Sequence, residues 1–379
     1  MGPTIAKDCV EDPNVTQVTG CDIDEIKLKA VEGYITNQKF KSEVIDVSNY
    51  EQLIETIKGH DVVVNCSAAK FSISVLKAAM SVKANVVDLA GGGYPQEGEI
   101  YEEVEKSGIL AIPGCGVDPG LVDILAGNAM IFLDEVTEVS FACGGLPRDP
   151  VPPLDYKIVF GGTKMPIRPG KVPMIVDGKL TEVDRYSDIE PIFVDNYRDM
   201  EAFYDGYPSS LLKLCLEKKV KSFKGKTIRY QGFVSKLMFL LDLGVISDRH
   251  THYKGLEIIP LDFFHELIYP IVKFDEAAGD RDITVMLVRA SGNKKDIDVD
   301  VTYDMVDEYD EQRNITSMAK TTGFTAAIIA RMVGRGAINK KGIQWPVRVI
   351  FGDLCEELLL ELKKRGVEIT ETITKTRSL

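Results

Sequence analysis

The side chains able to do chemistry fall in a few short stretches. In Gly116-Val117-Asp118-Pro119-Gly120 an aspartate stands between an apolar run, 109–112, that reads as a strand and a stretch, 119–132, that reads as a helix. A helix N-terminus stabilises a nearby negative charge, so Asp118 can orient an ammonium group or accept its proton. A plain N-cap before Pro119 explains it equally well. Arg229, in Thr227-Ile228-Arg229-Tyr230-Gln231, offers the guanidinium fork that matches a carboxylate, and Tyr230 beside it offers a hydroxyl. A surface arginine and a packed tyrosine are the plainer readings. Thr321 and Thr322 stand at the expected start of a helix running to Arg335. Hydroxyls and peptide N–H groups there can bind an anion or merely cap the helix. The histidines suggest no metal site: His250 and His252 form an H-x-H with no third ligand nearby, and His60 and His265 read as structural.

The elements that position these residues begin with alternating strands and helices. The segments 15–21, 41–47, 61–65, 85–88 and 109–112 read as strands, and 1–10, 50–58, 74–83, 97–107 and 119–132 as helices. That alternation predicts an α/β domain with a doubly wound parallel sheet. Ligands bind such sheets at the carboxyl ends of the strands. The loops there carry Asp22, Asn65, Ser67, Asp88, Gly91 and Gly116 among small residues. A dinucleotide fingerprint needs a strand, then G-x-G-x-x-G, then an acid about 20 residues on. Gly2 opens a helix and Asp22 follows 20 residues later at a strand end, so Gly2 reads as the last fingerprint glycine. The first strand and first two glycines are then expected about ten residues upstream of Met1, and their lack leaves an unpaired gap in the sheet. Asp22 predicts NAD over NADP, because a carboxylate repels a 2′-phosphate.

From Asp134 the pattern changes. Strands are expected at 136–141, 172–176, 179–183, 227–231, 283–290 and 296–303, with Asp177-Gly178 as a hairpin turn. This reads as an α+β substrate and oligomerisation domain with a mainly antiparallel sheet. The expected division is 1–132 for the dinucleotide domain, completed by about 320–379, and 133–319 for the substrate domain. An antiparallel sheet in that second domain makes a homodimer the expected assembly.

Composition sets the outer limits. The 379 residues include 45 basic and 58 acidic side chains, a net charge of −13 that argues against nucleic-acid and anionic-membrane partners. No apolar run approaches a membrane span. Seven scattered cysteines without a C-x-x-C pair read as reduced thiols, which predicts a cytoplasmic protein.

The run Ile112-Pro113-Gly114-Cys115-Gly116-Val117-Asp118-Pro119-Gly120-Leu121-Val122-Asp123 resembles the G-x-D-P-G turn of the saccharopine dehydrogenase family. Pro152 to Lys157, Glu190-Pro191-Ile192, Glu201-Ala202-Phe203, Lys226 to Gly232, Met318 to Phe324 and Gly334 to Ile338 resemble its lysine 6-dehydrogenase branch, and together they span the chain. Two departures stand out: Phe233, where relatives often carry histidine, and Gly161-Gly162-Thr163, where saccharopine-type sequences tend to be serine-rich. The resemblance implies NAD-dependent oxidative deamination of the lysine ε-amine to a semialdehyde that cyclises. Saccharopine or carboxynorspermidine dehydrogenation is the related alternative, and a non-catalytic dinucleotide-binding protein the unrelated one. It also implies that Tyr156 and Lys157 carry the family's substrate-domain motif. Lys157 can act as a base if burial lowers its pKa, or bind a carboxylate if it stays charged.

Overall fold

The computed structural model describes residues 1–95, 97–168, 170–206 and 210–376. In chain order the elements are α1 (Gly2–Glu11), β1 (Val18–Asp22), α2 (Glu25–Tyr34), β2 (Phe40–Val44), α3 (Tyr50–Ile57), β3 (Val62–Asn65), α4 (Ser72–Val82), β4 (Asn85–Asp88), α5 (Glu99–Ser107), β5 (Leu110–Pro113) and α6 (Leu121–Phe132). There follow β6 (Glu135–Pro147), β7 (Lys171–Val176), β8 (Lys179–Asp184), β9 (Glu190–Ile192), β10 (Met200–Tyr204), α7 (Ser210–Glu217), β11 (Ser222–Tyr230), α8 (Phe233–Asp242), β12 (Thr251–Tyr253), β13 (Leu256–Ile258), α9 (Pro260–Val272), β14 (Asp282–Lys294) and β15 (Ile297–Glu308). The chain closes with α10 (Ser317–Gly334), β16 (Gly342–Ile343), α11 (Pro346–Val349), α12 (Asp353–Lys364) and β17 (Thr370–Thr376). Two compact units result: Met1–Asn128 with Ala319–Glu368, and Ala129–Met318 with Ile369–Leu379.

The first unit is the expected strand-helix alternation. Side-chain caps start its helices: Asp24 accepts from the Ile26 and Lys27 N–H groups at 3.0 and 3.1 Å, and Asn49 accepts from Gln52 N–H at 3.1 Å. Its strands are all parallel, but they form two sheets, β1-β2 and β16-β5-β4-β3. Among the described residues β1 and β3 do not pair with each other. The larger sheet is buried by α3, α4 and α5 through Leu53, Val75, Leu76, Ala79, Val86, Val104 and Ala111. Full burial of each Val or Leu there contributes roughly 1.5–3 kcal/mol. A smaller cluster packs Ile5 and Cys9 of α1 on Ala326 and Ala327 of α10, with Val18 and Val64 against it.

The second unit is built on a nine-stranded sheet ordered β17-β15-β14-β6-β11-β10-β9, with the β7–β8 hairpin attached through β11. Every pairing is antiparallel except β6 with β11. The hairpin turns on Asp177 and Gly178 at φ 49° and 75°, the left-handed pair that matches strand twist. β15 alternates as its sequence suggests: Val299, Val301, Tyr303 and Met305 are buried and the aspartates between them face outward. One boundary needs correction. β17 pairs with β15, so the last residues join the second unit's sheet and not the dinucleotide domain. Among the described residues no helix is long and apolar enough to cross a membrane.

Candidate active site

In the first unit, the carboxyl ends of the parallel strands carry most of the cofactor-binding candidates. Asp22 ends β1, exposed, and accepts the Asp24 N–H at 2.9 Å. Asn65 ends β3 and Asp88 ends β4, and both are buried. Asn65 Nδ2 donates to Asp88 at 2.7 Å, and Ser67 donates to Asn65 Oδ1 from N–H and Oγ at 3.1 and 2.6 Å. The other Asp88 oxygen accepts the Ala90 N–H at 2.7 Å. Burial outweighs these bonds and holds the Asp88 carboxyl above the usual carboxylate range. This network stiffens the two strand ends and turns Ala90-Gly91 past them. Gly2 opens α1, whose N-terminus has no side-chain cap, so its peptide N–H groups suit a phosphate. The small-residue edge, the ribose-side carboxylate and this helix start fit a dinucleotide.

After β5 the chain makes a tight turn. The Asp118–Pro119 bond is cis, Gly116 N–H donates to the Pro119 carbonyl at 2.9 Å, and Leu121 N–H donates back to Gly116 at 2.9 Å. Gly120, at φ 135°, has to be glycine, since a Cβ there would collide with the Gly116 carbonyl. The turn leaves Asp118 half-buried beside the first turn of α6. Asp123, one turn into that helix, is 2% exposed, and burial with the charge of Asp118 pushes its carboxyl up to about 8. The pair therefore joins a carboxylate-type group to a carboxyl that stays protonated at neutral pH. Asp123 escaped the sequence reading, although a lone carboxylate in Leu121-Val122-Asp123-Ile124-Leu125 was a usable signal. Tyr94, buried against Asp88 in the glycine-rich loop, escaped it too.

In the second unit, β11 presents Arg229 to one side. It is 5% exposed, and its guanidinium lies 4.7 Å from the Tyr156 ring centroid and 5.8 Å from that of Phe233. Phe233 in turn stacks on Phe203 at 6.1 Å. Glu201 stands opposite Arg229 across the β10–β11 ladder, but its carboxylate caps α8, accepting the Gly232 and Val234 N–H groups at 3.0 and 2.7 Å. Among the described residues no carboxylate lies within ion-pair distance of Arg229; its Nη1 donates to the Ile228 carbonyl at 2.7 Å. The Tyr156 hydroxyl is buried, with no hydrogen-bond partner among the described residues. Burial raises its pKa, opposed by the charges of Arg229 and Arg168.

Other expectations fail for identifiable reasons. Tyr230 does not share the Arg229 face, because neighbouring strand residues point to opposite sides. Its ring is in the sheet core and its hydroxyl donates to the Pro147 and Arg148 carbonyls at 2.9 and 2.8 Å. Lys157 is held by Asp280 at 3.1 Å and the Lys273 carbonyl at 3.0 Å, an engagement that leaves it ill-suited as a base. Thr321 and Thr322 lie inside α10, which starts at Ser317. The Ser317 and Met318 N–H groups donate to Asp282 at 2.7 and 2.9 Å, so Thr321 and Thr322 present no helix N-terminus to an anion. Among the described residues no cluster of His, Cys, Asp or Glu is arranged to hold a metal ion.

Known proteins resemble the chain over its whole length. Residues 1–111 match the saccharopine dehydrogenase NADP binding domain and residues 116–367 the saccharopine dehydrogenase C-terminal domain. A saccharopine dehydrogenase (NADP(+), L-glutamate-forming) of Schizosaccharomyces pombe is 22% identical over 416 residues, covering 88% of each chain. The Saccharomyces cerevisiae protein of the same description is 29% identical over 227 residues, covering 54% of this chain and 48% of that one. Among solved structures, apo saccharopine dehydrogenase (L-Glu forming) from Saccharomyces cerevisiae superposes with a TM-score of 0.81 at 20% identity, covering 99% and 98% of the two chains. Homospermidine synthase from Legionella pneumophila, solved with NAD, gives 0.59 at 12% identity over 98% and 89%. With a Rossmann-like unit, a mixed-sheet unit and both domain models matched in order, the chain belongs to the saccharopine dehydrogenase family of oxidoreductases.

Proposed function

We propose that this protein is an NAD-dependent dehydrogenase of an amino-acid amine, with the ε-amine of lysine as substrate. The observation that carries the reading is Arg229, a buried guanidinium framed by aromatic rings whose cross-strand carboxylate is committed elsewhere. A buried cation with no counter-charge among the described residues favours an incoming carboxylate, to which the fork can donate two hydrogen bonds. The Tyr156 hydroxyl beside it supplies a further donor.

NAD is favoured over NADP by the turn after β1, where Asp22, Asp24 and Glu25 gather negative charge and Lys27 is paired with Asp24 at 3.6 Å. A 2′-phosphate meets repulsion there. The bound nicotinamide supplies the hydride acceptor. Asp118 orients the substrate ammonium and takes its proton, and Asp123, protonated at neutral pH, steadies the charge on Asp118. Overall, the protonated amine, NAD in its oxidised form and water give the aldehyde, ammonium, NADH and one proton, which balances in atoms and charge. Following absorbance at the NADH band with lysine, with ammonia measured in parallel, tests the reading. Turnover of lysine with stoichiometric ammonia supports it, and no turnover overturns it.

A second reading, cleavage of a secondary amine that joins two amino acids, is favoured by the descriptions of the fungal relatives. Two more arginines in the second unit, Arg168 and Arg185, meet Asp205 at 3.0 and 2.5 Å and add positive charge for a substrate with extra carboxylates. Saccharopine in the same assay separates the two, since that reaction releases an amino acid and no ammonia.

A further inference from the structure

The nine-stranded sheet ends on two unlike edges. At one end β9 is three residues long with Pro191 at its centre, the length and residue type that block further pairing. At the other end β17 is seven residues long and has no proline. It pairs with β15 on one side only, and all seven residues are exposed. Alternate peptide groups of β17 therefore point away from the sheet, with no strand to receive them among the described residues.

The residues on that edge, Thr370-Glu371-Thr372-Ile373-Thr374-Lys375-Thr376, are self-complementary about Ile373. With two copies laid antiparallel in that register, Ile373 meets its own counterpart, Glu371 meets Lys375 in both directions, and every other position pairs threonine with threonine. Opposite charges and threonine pairs are the cross-strand combinations that stabilise a ladder. A lone edge lysine normally discourages pairing, but here a matched glutamate turns it into a recognition element. Glu371 is held by a hydrogen bond from the buried Tyr303 hydroxyl at 2.6 Å, so one half of each charge pair is already positioned.

We propose that β17 is a self-recognition edge. Two copies of this chain pair their β17 strands antiparallel, Ile373 on the twofold axis, and join two nine-stranded sheets into one. Such an interface uses the same surface on both copies, so it closes at a dimer. The outer side of β8 is also free, but its hairpin is tied to the main sheet by the single pair Ile175–Phe223, and Asp184 already faces Lys171 at 3.9 Å.

Sedimentation velocity of the full chain tests this. The wild type should run at twice the 41.9 kDa chain mass. Lys375→Glu sets glutamate against glutamate twice across the axis and should weaken association about ten-fold or more. The double swap Glu371→Lys with Lys375→Glu restores the match and should recover the dimer. Ile373→Cys should give a disulfide-linked dimer on oxidation, under conditions where the wild type with its exposed Cys21 and Cys66 does not. A monomeric wild type overturns the proposal. So does a dimer that ignores Lys375→Glu and is not trapped through residue 373, an outcome that puts the interface on another surface such as β8.

Discussion

Replacing Arg229 with methionine removes the guanidinium and keeps most of its volume. The side chain is 5% exposed and lies along Tyr156 and Phe233, where a thioether packs comfortably. The variant loses a buried charge that no carboxylate among the described residues pairs with, so stability should move by no more than about 1 kcal/mol. Binding is another matter. Two charge-assisted hydrogen bonds to a substrate carboxylate, at roughly 1.5–3 kcal/mol each, amount to about 3–6 kcal/mol. At ~1.4 kcal/mol per decade, kcat/KM for the amino acid should fall on the order of 10²- to 10⁴-fold. KM for the nucleotide should stay within about two-fold, since Arg229 lies in the unit that does not hold the dinucleotide edge. Steady-state kinetics with lysine and with cadaverine, which lacks the carboxylate, isolates the effect. The wild type should prefer lysine, and Arg229→Met should erase that preference by lowering only the lysine value. Arg229→Lys should fall between the two, because an ammonium keeps the charge and loses the fork. A folded Arg229→Met protein with an unchanged KM and kcat/KM for lysine refutes the carboxylate role.

The remaining predictions concern pH, cofactor choice and folding. Asp123 has its carboxyl near 8 in the fold against 3.8 as a free group, so the folded state keeps a proton that the unfolded chain gives up. Its contribution is complete below about pH 4 and is lost as pH rises through about 8. The wild-type Tm should therefore drop between about pH 4 and pH 8, and Asp123→Asn should flatten that slope; identical slopes in calorimetry would falsify the protonated state. Asp22→Ser should improve kcat/KM for NADP about ten-fold or more relative to NAD, and a wild type that already prefers NADP contradicts the repulsion argument. Asp282 caps α10 through two peptide N–H groups, and Asp282→Ala should cost roughly 1–2 kcal/mol in denaturant unfolding. A midpoint equal to wild type shows that another group takes over the cap.

Much of the architecture could be read from local pattern. The valines of β3, the alternating aspartates of β15 and the Asp177-Gly178 turn each encode their element in neighbouring residues, because periodicity and turn chemistry act over a few positions. Strand β10 and the edge strands β9 and β17 were not legible. Their residues are short or threonine-rich runs, and what makes them strands is the neighbouring strand that supplies hydrogen bonds, which for β17 is the distant β15.

Site residues divide in the same way. By itself the sequence determined the candidate types: Asp22, Asn65 and Asp88 at strand ends, Asp118 in its glycine-proline turn, and Arg229 on a strand. Only the tertiary structure decided which of them stay available. Lys157 is engaged by Asp280, 123 positions later, Tyr230 is turned into the core by strand alternation, and Thr321 is set inside a helix whose true start is capped by Asp282. It also decided that Glu201, placed opposite Arg229, caps α8 instead, and that Asp123 is buried beside Asp118 deeply enough to keep its proton. Charge, burial and hydrogen-bond partners depend on distances in space, and spacing along the chain does not encode them.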